Sequence, residues 1–289
     1  VFNMIHSLLA IIYLAFISLG LPDSLLGAAW PAMYPEFSVP VSFAGIISMI
    51  IAAGTIISSL QRDRMTRWLA TGKVTVISVF MTAVALFGFS ITKSFWLLCL
   101  WAIPYGLGAG SIDAALNNYV ALHYKSRHMS WLHCMWGIGA TVGPYLMGYS
   151  LSGGQGWNAG YRYIGTIQIV LTAILLFSLP LWKERSTNFM VSDEVTNKAL
   201  SLKKIFKIPG AKEVMVCFFS YCALEQTTIL WASSYLTLYK GISAVTAASF
   251  ASVFFIGITV GRALCGFITM KLNDTQMIRL GQILIAIGI

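Results

Sequence analysis

Apolar runs of about twenty residues recur along this chain, and that repetition constrains its fold more than any other feature. Each run can cross a hydrocarbon layer of about 30 Å as a helix rising about 1.5 Å per residue. The runs cover 7–33, 41–60, 74–91, 95–122, 130–151, 164–182, 214–239 and 244–270, and a ninth opens near Met277. In lipid every backbone polar group must find its partner within the segment, so the runs predict an all-α polytopic membrane protein. Composition agrees, because 10% of the 289 residues are charged where soluble domains carry about a quarter. A cytosolic enzyme, a secreted disulfide scaffold and a disordered tail are excluded. The chain opens on Val1 and stops inside the apolar stretch 283–289, which reads as a fragment of a longer protein.

The 19 basic residues against 10 acidic ones give a net charge of +9. They are spaced between the apolar runs rather than gathered in a patch, which argues against nucleic acid as a partner. With the N-terminus cytoplasmic, sixteen of the bases fall on the inner side and three (Lys93, Arg162, Lys240) on the outer. That asymmetry obeys the positive-inside rule and orients the array. Six runs, a basic linker and further runs divide the chain into a bundle over 1–182, a cytoplasmic linker over 183–212 and a partial second bundle over 213–289. The stretch 200–208 alternates apolar residues with lysines, which suits either a helix lying flat at the interface or a solvated linker. The five cysteines all lie inside apolar runs without a Cys-x-x-Cys spacing, as small packing residues do. The first run has no basic flank before it and no cleavage site, so it reads as a span rather than a signal peptide.

Three carboxylates interrupt the apolar runs: Asp23 in the first, Asp113 in the fourth and Glu225 in the seventh. A charged acid costs roughly 2.5–3.5 kcal/mol at the centre of a membrane helix, so each one needs a use. At about 1.5 Å per residue, Asp23, Asp113 and Glu225 lie roughly 24, 27 and 17 Å into their runs, compatible with one central cavity. A carboxylate withdrawn from water can load and release a proton, the chemistry a coupled carrier needs. Asp23 follows Pro22 and has an alternative role as the cap of a restarting helix, Asp113 as a hydrogen bond to a neighbouring helix, and Glu225 as glue between helices. A shift of 203 residues lays the first two runs on the seventh and eighth, bringing Asp23 beside Glu225 and Gln226 and Gly54 onto Gly257. Repeated bundles facing one another are how many secondary transporters are built.

Polar partners near the carboxylates include Asn117, Gln168 and Gln226, and the nearby aromatics include Trp30, Tyr105, Trp136 and Trp231. Hydrogen-bonding groups with aromatic faces suit a sugar or similar polyol, although single tryptophans also serve as packing or interfacial anchors. His123, His128 and His133 are spaced by five and diverge around a helix, without the i+3 or i+4 partner a metal site would use, so no metal site is expected.

The segment Ser59-Leu-Gln-Arg-Asp63-Arg64-Met-Thr66-Arg67-Trp68 resembles the G-x-x-x-D-R-x-G-R-R signature of the major facilitator superfamily at Asp63, Arg64 and Arg67, and departs from it at Ser59, Thr66 and Trp68. The resemblance implies a latch in which the acid engages a neighbouring helix end and the arginines hold the bundles closed inward. Gly257-Ile-Thr-Val-Gly261-Arg262 is similar to the start of the same motif in the second half, with Gly261 where the acid would stand. The implied fold is the major facilitator fold of twelve helices, its six-helix N-terminal bundle complete and its C-terminal bundle truncated after about two and a half helices. Within the superfamily, Asp23 and Gly108-Ala-Gly110-Ser-Ile-Asp113-Ala-Ala-Leu-Asn117 are similar to the fucose–proton symporter group, with Asp in place of that group's Glu. By resemblance, Asp23 and Asp113 carry the proton and touch the sugar. Gly139-Ala-Thr-Val-Gly143-Pro144 is similar instead to a motif of drug–proton antiporters, although such small-residue pairs also simply let helices pack closely.

The sequence therefore predicts a secondary active transporter, a monomer in the cell membrane, moving a sugar or other small solute with a proton (or sodium). Asp23, Asp113, Asn117, Glu225, Gln226, Trp30 and Trp231 are the candidate binding residues and Asp63, Arg64, Arg67 and Arg262 the gating ones. No cofactor and no enzymatic chemistry are expected, since no nucleophile–base pair is visible. Two alternatives stand beside symport: proton-driven export with Glu225 as the coupling acid, and a non-transporting sensor on the carrier fold.

Overall fold

A computed structural model describes residues 2–182 and 202–288; the linker segment 183–201 lies outside the described residues. The described chain is helical. The first apolar run becomes two helices, α1 (Phe2–Asp23) and α2 (Leu25–Glu36), and a 3₁₀ turn at Val41–Phe43 leads to α3 (Ala44–Leu60). Then come α4 (Arg62–Ile91), α5 (Phe95–His123), α6 (Ser126–Ser152) and α7 (Gly156–Phe177). Beyond the undescribed segment follow the single turn α8 (Leu202–Ile205), α9 (Ala211–Leu238), α10 (Ala244–Ile268) and α11 (Asp274–Gly288). Of the stretch 200–208, only the turn α8 takes helical form among the described residues. Among the described residues seven spans are long and apolar enough to cross a membrane, with α1 and α2 counted as one. The predicted fifth run, α6, is as long as the rest, but its His, Arg and Gly content makes it less apolar.

Helix ends depart from the counted runs where polar residues extend a helix past its apolar part. The sixth run was counted from 164, yet α7 starts at Gly156, because Trp157 and Tyr161 are buried there among other aromatic rings. The segment carrying Asp63, Arg64 and Arg67 is helical as well, as the first turns of α4. A kink at Ala70, whose φ of 61° and ψ of 155° are foreign to a residue with a Cβ, separates those turns from the rest of the helix.

Close backbone approach organises the packing. α6 is the central element, lying against α1 on one side and α10 on the other. A Cβ on Gly139 or Gly143 would overlap the carbonyl oxygens of Ile17 and Leu21 in α1. The Gly139–Gly143 pair therefore sits at a helix crossing, as small-residue pairs do. α5 packs on α3 and α4, and α7 on α4, completing a six-helix group around one apolar core. α9 and α10 pack on each other and meet that group through α2 and α6.

Two prolines tie this framework together. Proline has no N–H, so the carbonyl four residues earlier is left without its helical partner. Pro22 frees the Ser18 carbonyl, and Gln168 of α7 donates its side-chain N–H to that oxygen while accepting from Ser18 Oγ at 2.6 Å. Pro144 frees the Ala140 carbonyl, which accepts from Ser24 Oγ at 2.9 Å. Asp23 thus lies between Ser18, whose carbonyl is held from α7, and Ser24, whose hydroxyl holds the Ala140 carbonyl of α6.

Candidate functional site

Asp23 ends α1 at the break in the first span, and its side chain does not cap α2; Ser24 occupies the cap position, without a side-chain cap bond. One carboxylate oxygen accepts from Tyr105 Oη at 2.7 Å, across from α5, and the other from Trp136 Nε1 at 2.8 Å, from α6. Both donors are neutral, so no fixed cation neutralises the acid. Asp113, in α5, accepts from Asn117 Nδ2 at 2.8 Å, the i+4 pairing its spacing allows. The glycines around it bring neighbours close: a Cβ on Gly108 would stand 2.7 Å from the Ser78 carbonyl of α4, and one on Gly110 would press on Thr55 of α3.

Glu225 has a different environment. Arg262 of α10 places Nη2 3.1 Å from Glu225 Oε1 and 3.1 Å from Tyr221 Oη, both on α9. Its Nη1 reaches the His133 carbonyl of α6 at 3.4 Å, and its guanidinium carbon lies 4.7 Å above the Trp136 ring. Among the described residues the ion pairs are Arg262–Glu225 and Arg62–Asp63. The Glu225 side chain is 11% exposed and that of Arg262 23%, so this pair is largely withdrawn from solvent. A cavity of about 370 Å³ opens beside it, lined by Ser130 and His133 of α6, Tyr221 and Cys222 of α9, and Cys265 of α10.

These groups form one assembly at the contact between α6 and the α9–α10 pair. Trp136 belongs to both halves of it, with its N–H on Asp23 and its face beneath Arg262.

Other predicted residues lie elsewhere. Trp30 is fully buried and spends its N–H on the Val41 carbonyl at 2.7 Å, which makes it a packing element. Trp231 is half-buried against the same apolar core, and Gln226 is exposed on α9, a third of a turn from Glu225. Asp63 pairs with the adjacent Arg62, Arg67 Nε donates to the Asp63 carbonyl at 3.1 Å, and Arg64 lies 5.5 Å over Trp68. Arg262 stands with Glu225 rather than with this group. His123 bonds the Tyr119 carbonyl at 2.7 Å, His128 meets Tyr13 Oη at 3.0 Å, and His133 packs edge-on to Phe16. Among the described residues no His, Cys, Asp and Glu gather in a group suited to a metal.

The sequence reading did not single out Tyr221 or pair Arg262 with Glu225. Tyr221 precedes Glu225 by four residues, the spacing that stacks side chains on one helix face. A lone arginine inside the otherwise apolar run 244–270 was the matching signal for a buried counter-charge.

Long apolar helices, a six-helix group facing a second helix pair, and ionisable residues gathered where the two meet define a multi-span membrane protein. Residues 12–289 match the family model of the Major Facilitator Superfamily, and the chain belongs to that superfamily. It is 24% identical over 285 residues to Bypass of stop codon protein 6 of Saccharomyces cerevisiae, covering 90% of this chain and 56% of that one. It is 22% identical over 276 residues to the Cis,cis-muconate transport protein of Acinetobacter baylyi (90% and 65%). To the Glucose/mannose transporter GlcP of Bacillus subtilis it is 23% identical over 271 residues (91% and 66%). The chain thus spans between about half and two thirds of the length of these relatives. Its fold is similar to that of a mutant of the peptide transporter POT crystallised with sulfate, with a TM-score of 0.60 at 12% identity over 92% of this chain and 68% of that one.

Proposed function

We propose that this protein is a proton-coupled symporter that carries a sugar or a similar small polar solute across the cell membrane by alternating access. The single observation that carries this reading is the contrast between its buried carboxylates. Asp23 and Asp113 accept hydrogen bonds from neutral groups only, whereas Glu225 is paired with Arg262. A proton taken up by Asp23 or Asp113 strands no counter-ion. A proton on Glu225 would leave a cation uncompensated in a largely dry site, which is costly. Proton traffic therefore belongs to Asp23 and Asp113, and Glu225 serves as a fixed partner rather than as the coupling acid that the export reading requires.

In this reading Asp23, Asp113 and Asn117 face the solute path from the 1–182 bundle, and Glu225, Arg262 and Trp231 face it from 213–289. The N-terminus is cytoplasmic, as the distribution of basic residues favours. Asp63, Arg64 and Arg67 then lie on the inner side, where closing and opening of the kinked α4 segment would gate access. A relative named for glucose and mannose supports the sugar class.

The test uses the complete gene product in proteoliposomes. Glucose, mannose, fucose and cis,cis-muconate are added outside in turn, without an imposed gradient, and proton movement is recorded. Inward proton flow with one of the sugars is the expected result. Flow with muconate alone would replace the sugar by an organic anion, and outward-directed proton exchange would favour export. Solute binding without any flux would favour the sensor.

A further inference from the structure

One side chain at the contact between the two helix groups bonds to Asp23 and lies under Arg262. Trp136 of α6 donates Nε1–H to Asp23 of α1 at 2.8 Å, and the face of the same indole lies 4.7 Å from the guanidinium carbon of Arg262 in α10. Phe255 of α10 packs against that ring edge-on, with centroids 6.2 Å apart. Arg262 is otherwise held by Glu225 and Tyr221 on α9, within its own helix pair, and by the His133 carbonyl at the longer distance of 3.4 Å. The charged and titratable groups facing this chain of contacts are Tyr105 and Asp113 of α5, His133 of α6, Tyr221 and Glu225 of α9, and Arg262 of α10.

We propose that Trp136 is the positioning residue that ties the proton state of Asp23 to the placement of Arg262, and through it to the fit between the two helix groups. This inference rests on the reading of Asp23 as a proton-binding group. With Asp23 ionised, the indole N–H bonds to a charged acceptor and the ring is fixed with its face under the guanidinium. Hydrogen bonds to an ionised partner are roughly twice as strong as neutral ones. A proton added to Asp23 from water in the cavity therefore weakens the hold on the indole. The ring is then free to turn, the cation loses its aromatic platform, and Arg262 stays with Glu225 and Tyr221 while α6 and α10 separate more readily. Trp136 reaches both Asp23 and Arg262, with its N–H on the first and its face under the second.

The test needs no identified solute. Cys222 and Cys265 line the cavity beside Arg262, whereas Cys99 is buried in the apolar core of the six-helix group. In the complete gene product, N-ethylmaleimide labelling of each cysteine is followed by peptide mass spectrometry in the wild type, D23N, W136F and the D23N/W136F double variant. Asp23→Asn stands in for the neutral acid. Trp136→Phe keeps an aromatic face and removes the N–H. Each single variant is expected to change labelling of Cys222 and Cys265 in the same direction by about threefold or more, and the double variant to match the singles, since residues acting through one contact are not additive. Multiplied effects in the double variant, or wild-type labelling in W136F, overturn the proposal. Unchanged labelling of Cys99 shows that the variants are folded. Arg262→Lys, which keeps the charge without the planar stack, is the second probe, and wild-type labelling there also counts against the mechanism. Coupled labelling in a protein that moves no protons with any solute would leave Trp136 in its role and refute the symport reading alone.

Discussion

Glu225→Gln isolates the value of the ion pair between α9 and α10. At the 3.1 Å separation of Nη2 and Oε1, the gross attraction is about 5 kcal/mol at an effective dielectric of about 20. Removing one partner of a buried pair costs about 3–5 kcal/mol because the other charge is left alone. Here the side chains keep 11% and 23% exposure, and Arg262 retains Tyr221, the His133 carbonyl and the Trp136 face. The expected loss is thus smaller, about 2–3 kcal/mol. For a chain of this size that corresponds to a fall of roughly 5–10 °C in the unfolding temperature. Arg262→Met likewise leaves one charge of the pair alone. The double variant E225Q/R262M should be more stable than E225Q alone, because no uncompensated charge remains. Purified protein in detergent, unfolded thermally at one scan rate, gives the three differences. An E225Q variant as stable as the wild type, or a double variant that loses the sum of both single losses, would refute the claim that the pair is buried and mutually dependent.

Three further outcomes follow from other parts of the structure. Asp113→Asn keeps a hydrogen-bonding partner for Asn117 but cannot carry a proton, so uphill uptake driven by a proton gradient should fall by about 10²-fold or more while solute exchange at equal pH persists; unchanged uphill uptake would remove Asp113 from the proton path. Gln168→Leu leaves the Ser18 carbonyl freed by Pro22 without a donor, and should lower stability by about 1–3 kcal/mol in thermal unfolding, with little change in apparent solute affinity. Asp63→Asn removes the charge paired with Arg62 and is expected to slow transport by roughly tenfold, about 1.4 kcal/mol on the barrier, with unaltered solute binding; an unchanged rate in flux assays would end its assignment as a gate.

The architecture was largely legible because lipid leaves few choices. A run of twenty apolar residues has one stable form in a membrane, and eight of them with a basic linker already outline two groups of helices. The small residues of α5 and α6 announced close crossings, and the backbone oxygens of Ile17, Leu21 and Ser78 lie where a Cβ would intrude. Helix ends were less legible, since an apolar count stops where hydropathy stops. α7 begins eight residues before its counted run, and the Asp63–Arg67 segment forms helix although it is polar. Single-residue roles were the least legible. Trp30 and Trp136 are both tryptophans beside small residues in apolar helices. Which one reaches an acid depends on the rotation of α2 and α6 about their axes, fixed by tertiary contacts such as Ser24 on the Ala140 carbonyl. Gln168 looked like a pocket residue, and its use in repairing a proline-broken helix became visible only when Pro22 was traced to the Ser18 carbonyl.

The internal echo that lays Asp23 near Glu225 and Gln226 now has physical content. The two acids are joined across the contact between the helix groups by Trp136 and Arg262, as a pair of facing half-sites would be. They have been given opposite surroundings. Asp23 meets an O–H and an N–H, groups that bond to a carboxylate and tolerate its loss of charge. Glu225 meets a guanidinium, which stays charged whatever the cavity contains. Only the first arrangement can change its charge without stranding a neighbour. A repeated framework in which one half-site is free to titrate and the other is pinned makes the interface asymmetric. In the proposed symport, a proton entering on the Asp23 side would alter the balance between the groups instead of acting on both alike, the asymmetry that coupling one ion to one direction of opening requires.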